Sequence, residues 1–256
     1  MFESLKILKQ HGRQTIADVD DVTLTHRFRG RPDIDSTSCS EGCSRCFDVC
    51  PTEAISLHPV SIDLGSCVFC GACETVCPTN KIHFSNDYHL ASERRDTLYA
   101  VDGKPFSYRP EYSGVRSEIE DIFGGSLKLR QVSAGGCNGC ELELGACSNV
   151  NFDMARYGIE FVASPRHADG IVLTGPLTRN MLGPFLTCYE AVPDPKMVIM
   201  TGACSISGGV FANSPAVARG SIDDISIDLF VPGCPPHPLT FITGVLRFVR
   251  RHGKRR

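Results

Sequence analysis

The chain lacks several features that would assign it to a compartment or to a class of partner. It has no stretch of about 20 consecutive apolar residues, the length needed to cross a bilayer. The N-terminal segment MFESLKILKQHGRQTIADVDD contains neither a long apolar run before a small-residue cleavage site nor a twin-arginine pair, so we expect no export. A basic face with interleaved aromatic side chains is also missing, which argues against nucleic acid binding.

Cysteine, by contrast, is abundant, with 14 in 256 residues. In a protein that is not exported these thiols stay reduced, and metal binding is expected before disulfide formation. Twelve of them form three sets of four, each of the size that holds one cubane iron–sulfur cluster. The sets are Cys39, Cys43, Cys46 and Cys50; Cys67, Cys70, Cys73 and Cys77; and Cys137, Cys140, Cys204 and Cys234. We therefore expect three 4Fe-4S clusters and a role in electron transfer.

The first two sets belong to an internal repeat. The segments CSRCFDVCPTEAI (43–55) and CGACETVCPTNKI (70–82) match at an offset of 27 residues, but Cys39 and Cys67 are offset by 28. A repeat of this kind indicates one small unit duplicated around a pseudo-twofold axis. In two-cluster ferredoxins the fourth cysteine of each motif ligates the other cluster. The predicted ligand sets are Cys39, Cys43, Cys46 with Cys77, and Cys67, Cys70, Cys73 with Cys50. Cys39 is the weakest assignment, because one extra residue separates it from Cys43.

From Leu127 onward, short apolar runs alternate with segments long enough for crossover helices near 140–150 and 178–191. The runs are LKLRQVS, IEFVAS, GIVLTG, MVIMTG and IDLFVPG, and each is typical of a buried parallel strand. This alternation predicts an α/β domain with a flavodoxin-like, doubly wound, largely parallel sheet. A small α+β domain like bacterial ferredoxin precedes it.

The dispersed cysteines all follow predicted strands. Cys137 and Cys140 follow the first strand, Cys204 the fourth and Cys234 the fifth. Loops at the carboxyl ends of parallel strands meet at one edge of the sheet, so we expect one site. Nearby glycines let the backbone wrap a bulky cofactor and are candidate cofactor-binding residues. They are Gly135, Gly136, Gly139, Gly202 and Gly233.

These patterns divide the chain into five segments. They are an N-terminal extension (1–36), a two-cluster domain (37–90), a linker (91–126), the α/β domain (127–245) and a basic tail (246–256). From Arg247 the tail carries six Lys or Arg residues and no acid, in a chain of formal charge −3. It suits anionic lipid head groups or an acidic partner subunit, and the alternative is a solvated terminus.

Residues 127–245 closely resemble the small electron-transfer subunit shared by membrane-bound, group 4 NiFe hydrogenases and respiratory complex I, where it is the 20 kDa (B) subunit. The motifs that carry the resemblance are GGCNGCELE (135–143), SPRHADGIVLTGPLT (164–178), PDPK (193–196), GACSISGGVF (202–211) and VPGCPPHP (231–238). The first domain is similar to the polyferredoxin subunit of formate hydrogenlyase, including FRGRPDID (28–35) before the first cysteine. The chain thus resembles a fusion of two neighbouring subunits.

The resemblance implies a function and partners. Complex I relatives have adjacent cysteines as the first two ligands, whereas here Cys137-x-x-Cys140 and Glu141 resemble the hydrogenases. This implies a proximal cluster facing the nickel–iron site of a separate large subunit. Further implied partners are a formate dehydrogenase or other electron donor and membrane-arm subunits, on the cytoplasmic face of the inner membrane. The family pattern has Gly at Ser205, and Arg is common at His237 in complex I relatives; both departures leave the ligands intact.

Other residues near the dispersed set have two interpretations. Glu141 and Glu143 are candidates for passing protons, or are acids at a helix N-terminus. Arg166 is a candidate for stabilising cluster or carboxylate charge, or forms a structural ion pair. His167 and His237 tune the cluster or relay protons, or act only as hydrogen-bonding partners. The two remaining cysteines, Cys147 and Cys188, fall in predicted helices and are expected to be buried hydrophobes.

Three hypotheses remain open. The leading one is an electron-transfer subunit of a formate hydrogenlyase-like NiFe hydrogenase complex. The second is a complex I-like module that passes electrons to quinone. The third is a zinc-stabilised scaffold, since four cysteines also suit zinc. The ferredoxin-type C-x2-C-x2-C-x3-C-P run argues against zinc in residues 39–77, while for the dispersed set the argument depends on the family resemblance.

Overall fold

The computed structural model describes residues 2–12, 14–104 and 126–252. The part before residue 105 contains α1 (Phe2–His11), β1 (Pro32–Ile34), α2 (Arg45–Asp48), β2 (Ile55–Leu57), β3 (Val60–Asp63), α3 (Ala72–Val76), β4 (Ile82–Phe84) and β5 (Tyr99–Val101). The part after residue 125 contains β6 (Leu127–Ser133), α4 (Gly139–Ala146), β7 (Ile159–Phe161), β8 (Gly170–Thr174), α5 (Arg179–Ala191), β9 (Met197–Thr201), α6 (Ala203–Ser207), β10 (Leu229–Val231) and α7 (Pro238–His252).

The strands of the first part pair across the sequence repeat. β1 pairs antiparallel with β4, with Ile34 opposite Ile82. β2 pairs antiparallel with β3, with Ile55 opposite Ile62. The strand that opens each repeat therefore pairs with the strand that closes the other. All four isoleucines are buried and belong to one hydrophobic cluster, so the two repeats share a single core.

The segment expected to be a linker begins as part of this small domain. β5 pairs antiparallel with β3, and Leu98 and Ala100 are buried. Arg95 donates two hydrogen bonds to the carboxylate of Asp63, at 2.6 and 2.5 Å. The expected linker boundary at residue 91 is therefore corrected, because a strand of three residues has too short a pattern to be recognised. Residues 105–125 of the expected linker lie outside the described residues.

The second part is a five-stranded parallel sheet with the strand order β10-β9-β8-β6-β7. Every residue of β8 and β9 is buried, as in a sheet covered on both faces. Ile171 and Leu173 point to the side of Phe185 in α5, whereas Val172 between them packs with the cluster that includes α7. The predicted flavodoxin-like α/β domain and its crossover helices are confirmed.

Helix α7 includes the start of the expected basic tail. Leu246 and Phe248 are buried against the sheet, and Arg247 lies 3.5 Å from the carboxylate of Asp20. The tail boundary at residue 246 is therefore corrected, because the apolar periodicity of α7 continues through the basic residues. Residues 253–256 lie outside the described part. Among the described residues, none of the helices has both the length and the hydrophobicity that crossing a membrane requires.

The two parts of the chain pack against each other. The hydrophobic cluster of the small domain continues into the face of the sheet that carries Ile171 and Leu173, and into Ile206 of α6. Ser92 also forms an antiparallel bridge with Phe230 of β10: each backbone N–H donates to the other carbonyl, at 2.9 and 2.7 Å. These contacts bring the cysteine loops of the small domain close to the carboxyl edge of the parallel sheet.

Candidate metal centres

The cysteines of the first two sets line two separate cavities, each containing one cysteine from the other repeat. One cavity is lined by Cys39, Cys43, Cys46 and Cys77, which we call the first thiol set. The other is lined by Cys50, Cys67, Cys70 and Cys73, which we call the second thiol set. The exchange of the fourth cysteine follows from the crossed strand pairing, since α2 and α3 begin 27 residues apart in the repeat and contact each other. Cys39 lies inside the first thiol set, and ligation of clusters by these cysteines stays a prediction.

Backbone N–H groups donate to three of these sulfurs. The N–H of Ala54 lies 3.3 Å from Cys50 Sγ, and that of Lys81 lies 3.2 Å from Cys77 Sγ. The N–H of Phe69 donates to Cys67 Sγ at 3.3 Å. Such donors stabilise negative charge on sulfur and are a means by which proteins tune iron–sulfur clusters. The donor set therefore fits a thiolate-bound cluster in each cavity.

The dispersed cysteines meet at the carboxyl edge of the parallel sheet. Cys137 and Cys140 lie on the turn from β6 into α4, Cys204 lies in α6 directly after β9, and Cys234 follows β10. A Cβ added to Gly202, two residues before Cys204, would stand close to both Cys140 Sγ and the carbonyl oxygen of Gly233, so the three loops that carry these thiols converge. We call this group the third thiol set.

Glycines allow the backbone to approach these sulfurs. A Cβ added to Gly202, whose φ is +90°, would stand 2.6 Å from Cys140 Sγ. A Cβ on Gly209 would stand 3.2 Å from Cys204 Sγ, and one on Gly139 would stand 3.5 Å from Cys137 Sγ. The other candidate glycines allow close packing between loops. A Cβ on Gly135 would meet Thr178, one on Gly136 would meet Gly175, and one on Gly233 would meet Pro236.

Burial makes the inner thiols poor acids. Burial, followed by the charge of Glu141 and the neighbouring thiols, raises the pKa of Cys140 to about 12. Burial likewise raises the pKa of Cys67 to about 12 and of Cys204 to about 11. Thiols of this kind lose their protons when a cation compensates the thiolate charge, so metal binding at these sites releases protons.

Glu141 is held by the ends of two strands. Its Oε1 accepts hydrogen bonds from the hydroxyl groups of Ser133 and Thr174, both at 2.6 Å. Burial raises its pKa, but these two donors outweigh burial, and the pKa is lowered overall. Glu143 has its pKa raised by burial. Glu141 is thus an ionised anchor between α4 and the sheet, beside the third thiol set.

The other candidate residues are less central. Arg166 and His167 lie in an exposed 3-10 turn, Pro165–His167, and within the described residues neither forms a hydrogen bond or ion pair with a cysteine. His237 caps the start of α7, accepts the N–H of Leu239 at 3.2 Å, and contacts the edges of Phe28 and Phe152. Burial lowers its pKa to about 4, so its ring is neutral at pH 7. His237 therefore acts in the structure as a hydrogen-bonding partner.

The two leftover cysteines lie away from the three sets. Cys147 is completely buried at the end of α4, and its pKa is raised to about 12 by burial and by Glu143. Cys188 is half-buried on α5, and burial raises its pKa. Both pack in hydrophobic clusters, as small apolar residues do.

The second thiol set lies between the first and the third. Phe69, between Cys67 and Cys70, lines a cavity of about 170 Å³ together with Cys234. Gly65, two residues before Cys67, would contact Ile206 at 2.8 Å if it carried a Cβ. Sequence reasoning missed this adjacency, which depends on packing between the two parts of the chain.

Comparisons with known proteins agree with this organisation. Residues 137–248 match the family described as NADH ubiquinone oxidoreductase, 20 Kd subunit, and residues 38–81 match the 4Fe-4S dicluster domain. The chain is 45% identical to formate hydrogenlyase subunit 7 of Escherichia coli (strain K12) over 119 residues, which are 46% of this chain and 47% of that protein. The chain thus spans about half the length of that relative.

Two further relatives are covered more completely. The chain is 42% identical over 138 residues to the probable membrane-bound hydrogenase subunit mbhJ of Pyrococcus furiosus, covering 54% of this chain and 83% of that protein. It is also 42% identical over 117 residues to a subunit of the NADH-quinone oxidoreductase of Geotalea daltonii, covering 46% of this chain and 68% of that protein.

Proposed function

The chain belongs to the NADH ubiquinone oxidoreductase 20 kDa subunit family, and on this basis we propose that it is the electron-transfer subunit of a membrane-associated NiFe hydrogenase complex. The observation that carries the proposal is the third thiol set, in which Cys137-x-x-Cys140 continues into Glu141 at the edge of the parallel sheet. The hydrogenase subunits among its relatives support the same assignment.

In this proposal each thiol set holds one 4Fe-4S cluster, three in total. Bound clusters of this type supply one-electron redox chemistry. The chain provides ligation, N–H donors to sulfur, exclusion of water and spacing. The order first set, second set, third set is supported by the cavity that Phe69 shares with Cys234 and by the close approach of Gly65 to Ile206. Electrons would enter at the first set and leave from the third, or travel in the opposite direction.

The proposed partners follow from the same reasoning. The third set faces the nickel–iron site of a separate large subunit, where protons are reduced to hydrogen. A formate dehydrogenase or another donor subunit delivers electrons to the small domain. Membrane-arm subunits hold the complex on the cytoplasmic face of the inner membrane, so this chain is peripheral. Support comes from the names of the relatives, which include a membrane-bound hydrogenase and formate hydrogenlyase.

The test is anaerobic analysis of iron, sulfide, nickel and zinc in the purified complex, with EPR of the reduced sample. We expect about twelve iron and twelve sulfide per copy of this chain after its partners are subtracted, with nickel in the complex. Cys140→Ser should abolish hydrogen evolution, while the matched control Cys188→Ser should preserve it. Hydrogen evolution that survives Cys140→Ser would contradict the proposal, and zinc without sulfide would overturn the redox role altogether.

A second candidate function is a complex I-like module that passes electrons to quinone. It is favoured by the 42% identity to the NADH-quinone oxidoreductase subunit of Geotalea daltonii. The two functions differ in the large-subunit partner, because only a hydrogenase needs nickel. Three clusters in a complex without nickel, together with quinone reduction, would favour this second candidate.

A further inference from the structure

The two thiol sets of the small domain are alike in their backbone but differ at one buried position. Cys50 and Cys77 are equivalent in the repeat, and each sulfur lies near the hydroxyl of a threonine two residues later, at 3.8 and 3.6 Å. The next residues, Glu53 and Asn80, both have positive φ, 52° and 49°. The repeat therefore continues in three dimensions through the residue that donates its N–H to the sulfur.

That residue is Ala54 in one repeat and Lys81 in the other. Ala54 lines the cavity of the second thiol set, and Lys81 lines the cavity of the first. Lys81 is only 2% exposed, which is rare for lysine unless its ammonium is fully paired. The pseudo-symmetry thus provides an internal comparison: one cavity is lined by a buried lysine, and the equivalent position of the other cavity is alanine.

The ammonium of Lys81 is fully engaged. Its Nζ donates to the carbonyl oxygens of Asp35 and Thr37, both at 2.6 Å. It also lies 2.9 Å from Oδ2 of Asp102, in the turn after β5. These contacts fix the segment that leads into Cys39, the cysteine whose spacing departs from the repeat.

The same contacts leave an electrostatic asymmetry. The side chain of Asp102 is 28% exposed, whereas that of Lys81 is 2% exposed. Solvent screens the charge of the carboxylate more than the charge of the ammonium. The electrostatic potentials of the two groups therefore do not cancel inside the cavity. Reduction adds negative charge to a cluster, and a nearby buried cation stabilises that reduced form.

We propose that Lys81 makes the two thiol sets inequivalent: it positions the approach to Cys39 and raises the reduction potential of a cluster on the first set above that of a cluster on the second. The inference rests on the proposed cluster assignment. It makes the first set the place where an electron is held before it moves inward. The side chain of Lys81 contacts other protein groups and none of the ligand sulfurs. Lys81 is therefore a positioning residue that also has an electrostatic effect.

The test is an EPR-monitored redox titration of the complete complex, purified anaerobically, with Lys81→Met and Asp102→Asn variants of this chain. The first-set signal is the one lost or altered in Cys43→Ser. A unit charge in a partly buried medium, at a separation on the order of 10 Å, changes an equilibrium by about tenfold. At a fixed solution potential, Lys81→Met should therefore lower the ratio of reduced to oxidised first-set cluster by about tenfold. This corresponds to a reduction potential that is lower by about 59 mV.

Asp102→Asn should shift the same signal in the opposite direction, because it leaves the ammonium uncompensated. The second-set signal should stay within error in both variants, and Lys104→Met, at an exposed lysine in the same turn, should shift neither. If Lys81→Met fails to assemble, the sign of the Asp102→Asn shift decides alone. Equal shifts of both signals, or a first-set shift of the wrong sign, would overturn the inference. A wild-type complex without iron and sulfide would instead overturn the proposed function.

Discussion

The contact between Gly202 and Cys140 gives the sharpest prediction for the third thiol set. Gly202 has φ +90° and ψ 153°, a conformation that residues with a Cβ adopt at a cost of about 1–3 kcal/mol. A Cβ at this position would lie 2.6 Å from Cys140 Sγ, closer than the sulfur can accept without moving. Gly202→Ala should therefore both strain the backbone and displace the sulfur of Cys140.

The chain offers a matched control for this substitution. Gly145 lies in α4, five residues after Cys140, and a Cβ there would meet nothing within 4 Å. Gly145→Ala should stabilise the helix by up to about 1 kcal/mol, since alanine is the better helix former. The two variants make the same chemical change in the same domain, so their difference reports the backbone strain at Gly202 together with the contact with the sulfur.

The measurement is iron and sulfide content with EPR of the assembled complex, together with thermal unfolding. Gly202→Ala should lose about a third of the iron bound by this chain, if one of three cubanes is missing, and should unfold at a lower temperature. Gly145→Ala should keep the full complement. Normal loading and an unchanged third-set signal in Gly202→Ala would refute the idea that close backbone approach shapes this site.

Three further outcomes follow from the buried groups. Cys147→Ala should retain all iron and sulfide, in contrast to Cys140→Ala, and should lower only the free energy of unfolding; loss of a cluster would show that Cys147 is a ligand. The pKa of His237 in the folded protein is about 4, below the usual value of 6.5. The folded protein therefore keeps its full stability above pH 6.5, and the part that depends on a neutral His237 ring is lost as pH falls toward 4. His237→Asn, which keeps a capping side chain, should therefore lose less thermal stability between pH 7 and 5 than the wild type; parallel curves would exclude His237 as the source. Glu141→Gln should cost about 1–2 kcal/mol in denaturant unfolding because two hydroxyl groups donate to its carboxylate, whereas Glu143→Gln should be neutral or stabilising, since burial disfavours its charge; the reverse order would contradict the anchor role of Glu141.

The features that the sequence predicted are those with a local or repeated pattern. The parallel strands β8 and β9 are continuous apolar runs followed directly by glycine, and β6 alternates apolar and polar residues, so these patterns can be recognised without knowledge of partners. The repeat predicted the exchange of Cys50 and Cys77, because two similar units around one axis share ligands. These parts of the fold and the grouping of the thiols follow from residues that lie close together in sequence or are related by 27 positions.

The features that escaped prediction depend on partners far away in the chain. β5 has only three residues and pairs with β3, and Arg95 before it binds Asp63 across 32 positions. Lysine is usually a surface residue. Lys81 can be buried because its ammonium is paired with residues 35, 37 and 102. A comparison of Lys81 with Ala54 at the equivalent repeat position was the one signal in the sequence that could have indicated it.

The backbone bridge between Ser92 and Phe230 has a consequence for assembly. It covers the outer edge of β10 with two hydrogen bonds from the segment between β4 and β5 of the small domain. Between two separate polypeptides this contact would depend on their concentrations and would open whenever the partners dissociate. Here the covalent connection converts it into an intramolecular contact with a high effective concentration. Dilution of the complex should therefore release its other subunits before it separates the second thiol set from the third.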